Sequence, residues 1–183
     1  MKLRRANIPD LVICEPKKLK DERGFFCESF RKDSLENLLG YSLNFCQENF
    51  SESKYGVLRG LHFQIEPNAQ SKLVSVVKGR ILDVAVDIRK NSKFYGQSFS
   101  IELDDKTNKQ LFIPKGFAHG FVVLSKTARV SYKVDNYYNP KSERGLNYND
   151  PLLEIDWKID KKSIITNEKD NNYSSFDSEF FFE

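Results

Sequence analysis

Histidine occurs only twice in this 183-residue chain, at His62 and His119. Both lie in apolar, glycine-bounded stretches with a cationic residue close by: Gly56-Val57-Leu58-Arg59-Gly60-Leu61-His62-Phe63-Gln64 and Phe112-Ile113-Pro114-Lys115-Gly116-Phe117-Ala118-His119-Gly120-Phe121. Imidazole is the side chain whose ordinary pKa, about 6.5, suits proton transfer at neutral pH. The two stretches read as two walls of one pocket. The chemistry they point to is movement of a proton.

A pocket of this kind needs a scaffold, and the pattern supplies one made of strands. Short alternating segments at 11–14, 25–30, 43–50, 57–64, 72–78, 81–89, 94–103, 109–113, 120–124 and 129–138 are separated by turn residues such as Gly79, Asp104-Asp105 and Pro114-Lys115-Gly116. Fifteen phenylalanines and eight tyrosines add to the strand bias. Many short strands at this spacing predict an all-β sandwich or barrel. One helix is expected at 34–39, with Asp33 or Ser34 as its N-cap and Gly40 just beyond its end. The chain is expected to form one domain over 1–183. Its N-terminal strands and helix fill 1–50, the barrel core 51–138, and a C-terminal loop and aromatic tail 139–183.

Strand parity says which side chains share a face. Phe26 and Glu28 point the same way, Gln47 pairs with Asn49, and Tyr132 goes with Val130 and Val134. Polar side chains turned into a sandwich cost free energy unless they are paired or used. His62 and Arg59 have opposite parity, so both reach one pocket only if Gly60 marks a bulge or bend.

Composition narrows the function. With 29 basic and 26 acidic residues the net charge is +3, too balanced for a nucleic-acid-binding face. Cys14, Cys27 and Cys46 are odd in number and lack CxxC spacing, which argues against a disulfide framework or a zinc cluster and for a reducing cytoplasm. Residues 1–10 have basic residues but no apolar stretch, so they do not read as a signal peptide, and no apolar run is long enough to span a bilayer. A metal site is also disfavoured, because the two histidines lie 57 positions apart with no third.

Taken together and in order, several segments closely resemble the dTDP-4-dehydrorhamnose 3,5-epimerase family. They are Asp21-Glu22-Arg23-Gly24-Phe25-Phe26-Cys27-Glu28, Gln47-Glu48-Asn49, the stretch around His62, Lys72-Leu73-Val74, 83–89, the stretch around His119, Tyr137-Tyr138 and Ser142-Glu143-Arg144-Gly145. The resemblance covers nearly the whole chain. It implies a cupin-like jelly-roll barrel or sandwich with one or two short helices, and a homodimer with strand exchange.

It also implies roles. His62 resembles the base that removes the acidic hydrogens beside a 4-keto group, and Asp170 the carboxylate that orients it. Lys72 resembles the cation at the developing enolate oxygen, and Tyr132 the acid that returns a proton from the opposite face. Arg23, Phe26, Glu28, Gln47 and Asn49 match substrate-binding positions. So do Arg59, His119, Glu143 and Lys169, while Tyr138 resembles the ring that stacks on the nucleobase. No cofactor is expected, since the substrate carbonyl is the electron sink. Tyr148 stands where many relatives have tryptophan, at what the resemblance reads as a pocket wall. A single-centre epimerase, a sugar 3,4-ketoisomerase, a double epimerase for another nucleotide sugar such as a GDP-linked keto-heptose, and a non-catalytic sugar-nucleotide-binding jelly roll remain open as alternatives.

Overall fold

The computed structural model describes residues 1–176. Of the aromatic tail, only Phe176 falls within them; its ring lies 4.9 Å from that of Tyr95. The chain begins with β1 (Lys2–Arg5), β2 (Val12–Glu15), β3 (Lys18–Asp21) and β4 (Gly24–Cys27), followed by α1 (Lys32–Leu39). Next come β5 (Gln47–Lys54), β6 (Leu58–Gln64), β7 (Lys72–Lys78), β8 (Arg80–Asp87) and β9 (Ser98–Asp104). Then follow β10 (Gln110–Ile113), β11 (Phe117–Val123), β12 (Thr127–Val134), β13 (Glu143–Gly145) and a short α2 (Glu168–Asn171).

Two antiparallel sheets form, one ordered β1-β2-β10-β7-β12-β5 and the other β13-β6-β11-β8-β9, while β3 and β4 make a separate hairpin. Both sheets keep free edges. The architecture is a cupin-like jelly-roll sandwich and not a closed barrel.

Strand β8 shows why these sequences pair this way. Its odd positions Ile81 and Ala85 join Val74, Val76, Leu111, Phe117 and Val130 between the sheets. Its even positions Leu82, Val84 and Val86 face outward and are covered by Leu146, Leu153 and Trp157 of the C-terminal segment. Both faces are buried, so the strand is apolar from Ile81 to Val86 except for Asp83. The outer face of the larger sheet is closed over Val12, Leu73 and Phe112 by Leu35 of α1 and by Leu43. Each such buried aliphatic side chain stabilises the fold by about 1.5–3 kcal/mol.

Several elements depart from the sequence expectation. Helix α1 starts at Lys32 with Arg31 as its N-cap and no side-chain cap bond. Asp33 is instead occupied by the Arg31 Nε at 2.9 Å and the Ser34 N–H at 2.6 Å. Gly40 does end the helix, in a left-handed conformation with φ +81°. Strand β4 stops at Cys27, so Glu28 lies off the strand, 3.7 Å from Arg31, and the facing it was expected to share with Phe26 does not apply. Leu43, expected in a strand, is tucked beneath α1, its N–H held by Glu36 at 2.7 Å, and pairing starts only at Gln47. Strand β12 leaves the sheet at Val134, which frees 135–139 to build a rim.

Candidate active site

Polar side chains replace apolar ones toward one end of the space between the sheets. Gln47, Val134, Lys72 and Ile113 form one cross-strand row, and Asn49, Tyr132, Val74 and Leu111 form the next. On the facing sheet, His119 of β11 lies directly opposite His62 of β6.

The register between these two strands shifts between His119 and Phe121, so three steps along β6 from Arg59 to His62 match two along β11. This is the irregularity parity demanded, and it puts Arg59 and His62 on the same cavity. Gly60 sits there with φ +126°, and a Cβ on it would lie 2.5 Å from the Gly120 Cα. Only glycine fits so close an approach of two backbones.

His62 Nε2 lies 2.8 Å from Asp170 Oδ1. Asp170 is almost fully buried, and its second oxygen accepts the Gly60 N–H at 3.2 Å. Asn167 caps α2 by accepting the Asp170 N–H at 2.7 Å, which fixes where that carboxylate points. Burial alone would raise the Asp170 pKa. The bond to His62, the imidazole's charge and the Gly60 N–H outweigh it and hold the carboxyl below its usual value. An ionised carboxylate only accepts, so Nε2 is the ring nitrogen that donates to Asp170 and Nδ1 is the one left to face other partners. The Tyr173 ring meets the imidazole edge-on, with centroids 5.6 Å apart.

The cleft has two lobes, of about 300 and about 190 Å³, and His62, Lys72 and Tyr132 line both. Lys72 is buried, with Nζ 3.3 Å from the His62 carbonyl. Burial pulls its pKa down to about 8, against the opposing charges of Asp83 and Glu143. Burial also raises the Tyr132 pKa, with Arg59 opposing, so the phenol keeps its proton at neutral pH. His119 Nε2 lies 2.7 Å from Asp83 Oδ1. Burial lowers the His119 pKa, although Asp83 works the other way.

The wider lobe ends at a rim. Glu143 Oε2 accepts from the Tyr138 hydroxyl at 2.6 Å and from Lys169 Nζ at 2.5 Å. Gln47 and Asn49 stand on its wall, joined by a 2.9 Å hydrogen bond. Arg59 borders the narrower lobe, its Nε 3.2 Å from Ser53 Oγ.

Of the residues picked from sequence, Arg23, Phe26 and Glu28 do not join this cluster. The β3–β4 hairpin carries Arg23 and Phe26 outward, with Arg23 bonded to Asp21 and Phe26 69% exposed. Tyr148 is also not at the pocket wall: it packs in the outer layer under the C-terminal segment, where its carbonyl accepts the Trp157 indole N–H at 2.9 Å. Sequence reading passed over Asp83, Gln64, Asn167 and Tyr173. Asp83 did leave a signal, since a lone carboxylate inside Ile81-Leu82-Asp83-Val84-Ala85-Val86 must be paired if the strand is buried. Among the described residues no group of three or more His, Cys, Asp or Glu side chains is arranged to hold a metal ion, and no helix is long and apolar enough to cross a membrane.

An imidazole backed by a carboxylate, a buried ammonium and a protonated phenol around one cavity can remove a proton next to a carbonyl, stabilise the enolate and return a proton. The comparisons with known proteins agree. The family model for dTDP-4-dehydrorhamnose 3,5-epimerase matches residues 5–178. The chain is 45% identical to the dTDP-4-dehydrorhamnose 3,5-epimerase of Shigella flexneri over 182 residues, 99% of either chain. The crystal structure of the Elizabethkingia anophelis dTDP-4-dehydrorhamnose 3,5-epimerase superposes with a TM-score of 0.93 at 49% identity, covering 96% of each chain. A Legionella pneumophila dTDP-6-deoxy-D-glucose-3,5-epimerase, solved in complex with dTDP-4-keto-L-rhamnose, gives 0.92 at 46% identity over 97% of this chain and 93% of that one. This chain belongs to the dTDP-4-dehydrorhamnose 3,5-epimerase family.

Proposed function

We propose that the chain, acting as one domain, inverts carbons 3 and 5 of a dTDP-linked 4-keto-6-deoxyhexose, taking dTDP-4-dehydro-6-deoxy-D-glucose to dTDP-4-dehydro-L-rhamnose. The observation that carries this is the convergence of His62 with Asp170, Lys72 and Tyr132 on one cleft. His62 Nδ1 takes the proton from the carbon next to the ketone, and the C–H electrons move onto the ketone oxygen. Lys72 Nζ stabilises that enolate, a contribution of about 3–4 kcal/mol for a well-placed donor. Tyr132 protonates the carbanionic carbon from the opposite face, which inverts the centre. The imidazolium then loses its proton to solvent and the phenolate regains one, and the cycle repeats at the second carbon. The substrate's carbonyl holds the electrons throughout, so the reaction calls on no cofactor.

Turnover in heavy water tests the reading. Deuterium is expected at both carbons. Label at one carbon only would leave a single-centre epimerase, and none would leave a binding protein. Tyr132→Phe is expected to retain hydrogen exchange better than inversion.

The outward hairpin favours a homodimer with strand exchange. Leu19, Phe25 and Phe26 are each more than half exposed there, an apolar patch that a second copy would cover. In such a dimer Arg23, Phe26 and Glu28 serve the neighbouring cleft. An active monomer in sedimentation velocity would overturn that arrangement. The three free cysteines suit a reducing cytoplasm.

A further inference from the structure

Tyr138 stands at the mouth of the wider lobe with 51% of its surface exposed, yet its backbone is held from below by side-chain amides. Gln64, two positions beyond His62 at the end of β6, is only 4% exposed. Its Nε2 donates to the Tyr137 carbonyl at 3.2 Å and to the Asn68 carbonyl at 2.6 Å. Its Oε1 accepts the Asn139 N–H at 2.7 Å. Gln47 on β5 fills the remaining place, accepting the Tyr138 N–H at 3.1 Å. Both peptide groups that flank Tyr138 are thus bonded to strand side chains, the preceding one through its carbonyl and its N–H and the following one through its N–H. Glu143 fixes the phenol end.

We propose that Gln64 is the positioning residue for Tyr138: its amide brackets the 137–139 segment so that the ring is presented as a ready-made stacking face, and this sets affinity for the nucleoside diphosphate part of the substrate. The inference rests on the reading of Tyr138 as the stacking ring. An amide is the one side chain of this length that donates to one flanking peptide and accepts from the other. A rim already ordered loses less freedom when ligand binds, so preorganisation appears directly in the dissociation constant. Gln64 touches no reacting atom, and its effect is expected in KM.

The experiment is calorimetric titration of the full chain with dTDP, for the native protein, Gln64→Met, Gln64→Glu, Tyr138→Ala and the Gln64→Met/Tyr138→Ala pair. Loss of base stacking makes Tyr138→Ala weaker on the order of tenfold. Gln64→Met is expected to weaken dTDP by a similar factor, and the double variant to be no weaker than the worse single one, because both changes remove the same contact. Gln64→Glu keeps the acceptor for Asn139 but turns both donated bonds into oxygen–oxygen repulsion, so it is expected to weaken dTDP at least as much as Gln64→Met; it decides the matter should Gln64→Met not fold. In turnover, KM rises with the dissociation constant while kcat falls less than threefold. Gln64 variants that bind dTDP within twofold of native while Tyr138→Ala is weak would overturn the positioning role alone, as would losses that multiply in the double variant. A Tyr138→Ala protein that binds normally would instead overturn the stacking reading beneath it.

Discussion

The molecule contains the same chemical pair twice, in two settings. His62 with Asp170 and His119 with Asp83 face one another across β6 and β11, with nitrogen–oxygen distances of 2.8 and 2.7 Å. They differ in what surrounds them. The His62 side chain is 29% exposed toward the cleft, and its carboxylate comes from the appended helix α2 with both oxygens bonded. The His119 side chain is 9% exposed, and its carboxylate comes from the strand next door, with Asp83 Oδ2 unpartnered among the described residues. Two equal pairs in unequal environments take different protonation tasks. One ring can meet a substrate hydrogen and pass it to water, whereas the other is held neutral by desolvation as a fixed wall of the cleft.

The sharpest way to break this contrast is to remove the pairs in turn and measure hydrogen exchange into the product. His62→Asn and Asp170→Asn are each expected to lower exchange by about 10²–10⁴-fold, the range of a lost general base or of its orienting carboxylate. The double variant should be no worse than the more damaged single one, since the two act as a unit. Lys72→Met should cost about 10²–10³-fold in kcat through the lost enolate stabiliser. The native enzyme carries the same dependence on pH. In the proposed mechanism Lys72 acts as an ammonium, and its pKa is pushed down to about 8, so kcat should fall as pH rises through about 8. A profile flat to pH 9.5 would deny Lys72 that role. His119→Asn should cost least, about tenfold and mostly in KM, as expected for lost binding and not lost chemistry. Equal losses from His119→Asn and His62→Asn would erase the distinction between the pairs.

How far the sequence foretold this site follows the distance over which its parts are specified. Arg59, Gly60 and His62 sit within four positions, and parity calls for a bend if Arg59 and His62 are to share one pocket, which the register shift provides. Lys72 and Tyr132 announce themselves less, because a lysine opening an apolar strand and a strand tyrosine are both common surface features. Asp170 was reached only through family resemblance, since nothing in Asn167-Glu168-Lys169-Asp170 says that a four-residue helix will dock beneath a histidine 108 positions earlier. The fold was legible in its strands and less so at their ends. Leu43 packs with Leu35 of α1 instead of pairing in a sheet, and Glu28 falls in the 28–31 connection between β4 and α1. Asp83 was overlooked by reading its strand for apolar content, when the one charge within it was the informative residue.

Helix α2 carries both Asp170 and Lys169, and the stretch that brings it to the cleft is tied down on either side, by Ile165 bridging Val57 and by Asn147 donating its N–H to the Ser174 carbonyl. Synthesis runs toward this stretch, so every strand of both sheets precedes the carboxylate that bonds His62. A nascent chain can therefore have every strand synthesised, Lys72 and Tyr132 included, and still lack both the carboxylate partner of His62 and part of the cover of β8. Turnover in the proposed mechanism thus becomes a report on whether the final docking step has happened, and the same segment that brings Asp170 also brings Leu153 and Trp157 over the outward face of β8.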